Sequence, residues 1–179
     1  MVVALCEALD DAATEADIDT LQTEVDAARA RALSAFDWLI DEKGDYAQAR
    51  AIWQHLAENG DGQAMNNLGV LFDLGQGVDL DEGRALYWFA RSASAGHPSG
   101  MSNYGRMLEQ GRGIDANPQE AARWFDLAAR QGQPEAQYNL GLMYESGHGV
   151  QQDHKAAAAW YSRTRSSGLC EKSQSISQM

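Results

Sequence analysis

Residues 61–96, 97–132 and 133–168 align with one another at a constant spacing of 36, without a gap. Asn67, Asn103 and Asn139 fall in one column, and so do Gly69, Gly105 and Gly141. Further columns hold Gly75, Gly111 and Gly147; Gly77, Gly113 and Gly149; Ala85, Ala121 and Ala157; and Trp88, Trp124 and Trp160. A unit this short cannot bury an apolar face alone. It must stack on its neighbours, which makes the chain a repeat solenoid.

Each unit reads as helix, loop, helix. In the first unit Ala64, Leu68, Leu71 and Phe72 recur at spacings of three and four, and Ala85, Trp88, Phe89 and Ala93 repeat that pattern in the second half. Pro98 and Pro134 suit a first helical position, where the missing N–H costs nothing. Asp81, Asn117 and Asp153 are placed to accept from the free N–H groups of the second helices, and Glu120 forms a capping box with Asn117. Gly75, Gly111 and Gly147 are expected to end the first helices, and Gly60, Gly96, Gly132 and Gly168 the second ones. Glycines 69, 105 and 141 lie inside a helix instead, each at a cost of about 1 kcal/mol relative to alanine. Their recurrence implies a close approach, expected from the tryptophan of the paired helix. The tryptophans, Tyr87, Phe125 and Tyr161 are accordingly expected in the interhelix core.

The period extends backwards, because Asp45, Ala49 and Gly60 match Asp81, Ala85 and Gly96, so residues 45–60 read as the second half of a partial repeat. Before it, Ile18, Leu21, Val25, Ala28, Ala32, Phe36 and Leu39 form the stripe of one long amphipathic helix. Residues 1–44 are therefore expected to be an acidic N-terminal cap. Residues 169–179, LCEKSQSISQM, are polar and serine-rich and read as a flexible tail that leaves the last helix poorly covered.

Charge narrows the partners. Residues 1–45 contain twelve acids and three bases, the remainder fourteen acids and eleven bases, for a total of −12. Such a chain repels nucleic acid and anionic membranes and suits a basic protein, though an acidic solvated face explains the bias equally well. No stretch approaches the roughly 20 apolar residues of a membrane span. The apolar residues near Met1 are too few for a signal peptide, although a trimmed one would leave such a remnant. Cys6 and Cys170 follow no disulfide or metal pattern, which favours the cytoplasm and remains compatible with a periplasmic or secreted protein.

The residues from Ala136 to Gly168 give the pattern AxxxNLGxxYxxGxGVxxDxxxAxxWYxxxxxxG, which resembles the Sel-one-like repeat, a relative of the tetratricopeptide repeat. The resemblance covers residues 61–168 well and 45–60 in part, with Tyr104, Leu108 and Gly100 as departures from the pattern. It implies an all-α fold, a right-handed α/α superhelix whose first helices line a concave surface. It also implies adaptor or scaffold work, including bacterial envelope and host-interaction roles. A secreted branch of that family carries one disulfide per repeat, and this chain lacks those cysteines.

Tetratricopeptide geometry carried over on the Leu-Gly anchor places Gln63, Asn66, Val70 and Asp73 on the concave face. Repeat two adds Ser99, Ser102, Arg106 and Glu109, and repeat three adds Glu135, Tyr138, Leu142 and Glu145. Val70 and Leu142 flanking Arg106, with Tyr138 near, would make a mixed groove, and tyrosine and arginine often dominate interface energetics. The asparagine column has two readings: a buried side chain satisfying backbone groups, or a grip on the backbone of a bound peptide.

Chemistry-bearing constellations are weak. The Gly-x-Gly tripeptides follow a helix rather than a strand, so they read as loop geometry and not as a phosphate cradle. His55, His97, His148 and His154 occupy unrelated repeat positions and make no metal set. No serine or cysteine sits in a nucleophile elbow. The preferred reading is a bacterial, non-enzymatic protein-interaction module with no cofactor, holding a protein or peptide on its concave face or acidic N-terminal helix. The alternatives are an immunity or inhibitor protein that neutralises a basic toxin, a hydrolase with an unrecognised site, and self-association through the C-terminal face.

Overall fold

The period of 36 becomes a set of equal helices. In the computed structural model the chain divides into two compact units, Met1–Ala49 and Arg50–Met179, and the structure describes residues 46–166. The expected cap at 1–44, with its long helix from Ile18 to Leu39, lies outside the described residues, as does the tail 169–179. The helices are α1 (Tyr46–Glu58), α2 (Gly62–Leu74), α3 (Glu82–Ser94), α4 (Pro98–Gln110), α5 (Pro118–Arg130), α6 (Pro134–Ser146) and α7 (His154–Ser166). Each is 13 residues long, and no strand occurs among the described residues. From α2 to α7 every helix packs on the next, and α2 also touches α4, the pattern of an all-α repeat solenoid.

The ends of the helices follow from side-chain chemistry. Asp81 accepts from the N–H of Arg84 at 2.9 Å, and Asp153 from that of Ala156 at 3.0 Å. Asp61 does the same for α2, accepting from Ala64 at 2.8 Å. At α5 the capping box takes a variant form: Asn117 accepts from the N–H of Glu120 at 3.1 Å and donates its side-chain amide to the Glu120 carboxylate at 3.2 Å. The backbone N–H of Asn117 is not free for the glutamate because it donates to the Leu108 carbonyl at 2.8 Å. Asp81 and Asp153 make the same backbone bond to Phe72 and Tyr144, so one tie closes all three loops. Gly75, Gly111 and Gly147 turn the first helices off at φ of 66°, 68° and 73°, a region glycine enters without a Cβ penalty.

The second glycine of the second and third loops makes a contact between repeats. A Cβ on Gly113 would stand 2.8 Å from the carbonyl oxygen of Glu82, and one on Gly149 would collide with the carbonyl of Pro118. Loop backbone thus rests on the first turn of the preceding repeat's second helix. In these two loops the glycine tripeptide serves stacking.

The glycines inside the first helices mark the tightest packing, but the ring over them is not the tryptophan. A Cβ on Gly69 would lie 2.5 Å from the Phe89 ring, one on Gly105 3.1 Å from Phe125, and one on Gly141 2.5 Å from Tyr161. These rings follow the tryptophan by one residue. Ala85, Phe89 and Ala93 form the fully inward stripe at spacings of four, with exposures of 0, 0 and 2%. Trp88 lies three residues after Ala85, on the flank of that stripe, and is half-buried. Trp124 and Trp160 sit likewise at the edge of the core, where Tyr104 meets Trp124 edge-on with centroids 5.4 Å apart. Tyr87, also expected in the core, is 54% exposed, because it precedes Trp88 on the outward side.

Gly100, where the repeat pattern has alanine, has a local cause. Its missing Cβ leaves space for Ser92, whose Oγ would coincide with an added methyl. Ser92 is fully buried and donates to the Gly62 carbonyl at 2.6 Å. At the next junction the equivalent residues are Ala128 and Ala136, both fully buried. The first junction exchanges size between partners.

Two substitutions test this packing. Gly69→Ala is expected to lower unfolding stability by about 1–3 kcal/mol despite alanine's better helix propensity, and Gly105→Ala by less, as read by urea denaturation. Gly100→Ala is expected to cost a similar amount in the native background, and much less when Ser92 is also alanine. A double-mutant cycle with no coupling would contradict the size exchange.

Candidate functional site

First helices α4 and α6 leave a cavity of about 640 Å³ between them, closed at one side by Thr164 of α7. Ser99, Ser102, Asn103 and Arg106 line it from α4, and Gln133, Pro134, Glu135, Tyr138 and Asn139 from the start of α6. Six of the ten lining residues carry a neutral amide or hydroxyl, set among carbon atoms that supply most of the exposed surface, with one half-exposed ring (Tyr138, 50%) and single charges from Arg106 and Glu135.

Five of the residues expected on this face line the cavity: Ser99, Ser102, Arg106, Glu135 and Tyr138. Asn66 and Asp73 are buried and turned to the next repeat. Asn66 accepts from the Asn103 amide at 2.8 Å, and Asp73 accepts from Arg106 at 3.2 Å. Val70, Glu109, Leu142 and Glu145 stand outside the cavity lining; Leu142 is 41% exposed. Of the mixed groove expected from Val70, Arg106, Leu142 and Tyr138, Arg106 and Tyr138 line this cavity and Val70 and Leu142 do not.

Arg106 is tied into a quartet of charges that bridges two repeats. Asp73, almost buried on α2, pairs with Arg106 at 3.2 Å and with Arg112 at 2.6 Å. Arg112 also donates through Nε to Glu82 at 2.8 Å. The hydrogen bond to Glu82 is the main cause raising the Arg112 pKa above its ordinary value, with Asp73 adding to it against the opposing effect of burial. One repeat later the same four positions hold Glu109, Leu142, His148 and Pro118, so this lock belongs to the first junction alone.

On α6, Tyr138 packs against Tyr161 with centroids 5.7 Å apart, and Tyr161 donates its hydroxyl to Glu145 at 2.8 Å. Burial first, and then this hydrogen bond, push the Tyr161 phenol up to about 12, so it stays a neutral donor. Gln133 donates to Ser99 at 3.1 Å across the mouth of the cavity.

Asn103, Asn139, Gln133, Pro134 and Thr164 were not among the residues expected on this face. The asparagine column did signal Asn103 and Asn139, as polar residues repeated on an otherwise apolar helix. Thr164 shares a column with Ser92 and Ala128, but nothing in its sequence context marks it. Among the described residues no group of three or more His, Cys, Asp and Glu side chains is arranged to hold a metal. No described helix is long and apolar enough to cross a membrane.

Stacked helix pairs with a cavity of mixed lining on one helix layer define a repeat solenoid of the kind that presents a binding surface. The sequence profile of the Sel1 repeat matches three times in succession, at residues 62–97, 98–133 and 134–169. The chain belongs to the Sel1 repeat family, whose members are generally protein-protein interaction modules and typically non-enzymatic scaffolds. A protective antigen of uropathogenic Escherichia coli with an SLR fold is 33% identical, with a TM-score of 0.69 over 75% of this chain and 30% of that protein. A Sel1 repeat protein from Oxalobacter formigenes is 30% identical, with a TM-score of 0.68 over 73% of this chain and 54% of its own. This chain thus spans only part of either relative. The Helicobacter pylori cysteine rich protein B shares the fold at 15% identity, with a TM-score of 0.52 over 66% of this chain and 90% of that one. A comparison with curated proteins found no match.

Asp73→Asn is expected to destabilise the solenoid by about 1–3 kcal/mol, below the full cost of breaking a buried pair because both arginines keep partial access to water. Thermal or urea unfolding reads the effect; no change would mean that the quartet does not hold the first junction.

Proposed function

We propose that this chain is an interaction module that holds an extended segment of a partner protein in the cavity between α4 and α6. The observation that carries the reading is the cavity itself: about 640 Å³, lined by amides and hydroxyls around an exposed aromatic ring. Amide side chains suit a peptide backbone, since each offers a donor and an acceptor to an extended chain whose own groups are unpaired. Asn103 and Asn139 recur at the repeat spacing, so they meet successive stretches of one segment. Asn103 is partly engaged with Asn66, which orients its amide. Tyr138 supplies a stiff apolar anchor with few rotamers to lose.

Arg106 contributes differently from Tyr138. Its guanidinium is committed to Asp73, so it shapes the cavity wall and also stabilises the stack. A charge reversal at Arg106 would place two carboxylates together and disturb folding as well as binding.

The clean test is therefore at Tyr138. Tagged wild-type chain, Tyr138→Ala and Tyr87→Ala are used to capture proteins from lysate of the source organism, with mass spectrometry as readout. A partner lost with Tyr138→Ala and retained with Tyr87→Ala is the expected result, with a loss on the order of tenfold or more for an aromatic anchor. A partner retained by both variants would move the site elsewhere on the molecule.

A further inference from the structure

We propose that the segment held on this face is basic, and that α6 reads two of its cations with an apolar side chain between them. This rests on the binding reading above and adds the chemistry of the partner. Glu135, Tyr138, Leu142 and Glu145 follow one another at spacings of three, four and three, so they form a single stripe along α6. All four are exposed, Tyr138 at 50% and Leu142 at 41%. The stripe thus presents acid, aromatic, aliphatic, acid in that order.

The charge balance of the surroundings selects the sign of the occupant. The cation that lines the cavity, Arg106, is balanced within the quartet, where two arginines meet Asp73 and Glu82. Glu135 has no cation within ion-pairing distance among the described residues, and neither does Glu109 on the neighbouring α4. The Glu145 carboxylate accepts from the neutral hydroxyl of Tyr161 and meets no cation among the described residues. Among the described residues the unbalanced charge on this face is therefore negative. A Lys or Arg side chain of the partner fits it, and the face of Tyr138 beside Glu135 adds a cation–π contact. A second copy of this chain carries −12 and is repelled, as is nucleic acid.

Geometry sets the spacing. Ten residues of helix separate Glu135 from Glu145, about 15 Å at 1.5 Å per residue. An extended segment advances about 3.3 Å per residue, so its two cations stand four or five positions apart. The side chains between them meet Tyr138 and Leu142.

A phage-displayed library of random dodecapeptides, selected on the full chain, tests this. Enriched peptides are then synthesised and titrated by fluorescence polarisation against wild type, Tyr138→Ala and the Glu135→Gln/Glu145→Gln double variant. Both glutamates are exposed and glutamine keeps an acceptor for Tyr161, so the fold is retained, which circular dichroism checks. The expected outcome is enrichment of two Lys or Arg four or five residues apart around an apolar residue. Their affinity should fall about fivefold for each glutamate removed, a difference that shrinks in high salt. Peptides that are neutral or acidic, or that bind the double variant equally well, overturn the basic assignment, while the binding reading stands if Tyr138→Ala still loses them. A selection that enriches nothing overturns both.

Discussion

The architecture depends on a helix backbone laid bare at one point so that a ring can lie on it. Gly69, Gly105 and Gly141 give up helix propensity, and Phe89, Phe125 and Tyr161 close against them at distances no Cβ would tolerate, or only barely in the middle repeat. That contact sets how closely the two helices of a repeat approach. The loop that joins them is then fixed by a glycine in the left-handed region and a backbone bond from the cap residue. The second loop glycine sets the distance to the preceding repeat. Three requirements for bare backbone, repeated every 36 residues, account for most of the glycine in the described chain.

Most of this was legible in the residues. Periodicity located the helices, and the cap residues Asp81, Asn117 and Asp153 and the terminating glycines stand where their chemistry requires. The identity of the ring over the glycines was not legible, because tryptophan and phenylalanine are adjacent and both recur. Which of them faces inward is decided by a rotation of 100° about the helix axis, and the alanines at 85 and 93 carried that phase. Gly100 read as a departure from the repeat, and only its neighbour in space, Ser92, explains it.

The lining of the cavity between α4 and α6 was legible in part for a related reason. Helical phase brings Ser99, Ser102, Arg106, Glu135 and Tyr138 to one cavity. Phase does not say which side chains are already engaged. Asn66 and Asp73 share that phase, yet the following repeat takes them up through Asn103 and Arg106. In a stacked array the outward residues of one unit are partly the contact residues of the next, and a single unit read alone does not separate the two roles. The charge quartet has the same origin: it joins residues 30 or more positions apart in a combination that only the first junction contains.

The face proposed for a partner is what remains after these internal contacts are made, along α6 beside the α4 cavity. A photoreactive benzoylphenylalanine placed at position 138, and separately at position 87, in the full chain expressed in its own cells tests this most directly. Illumination should join the chain to a partner protein from position 138 and not from position 87. Adducts formed from position 87 alone would contradict the account and place the working surface on the second helices.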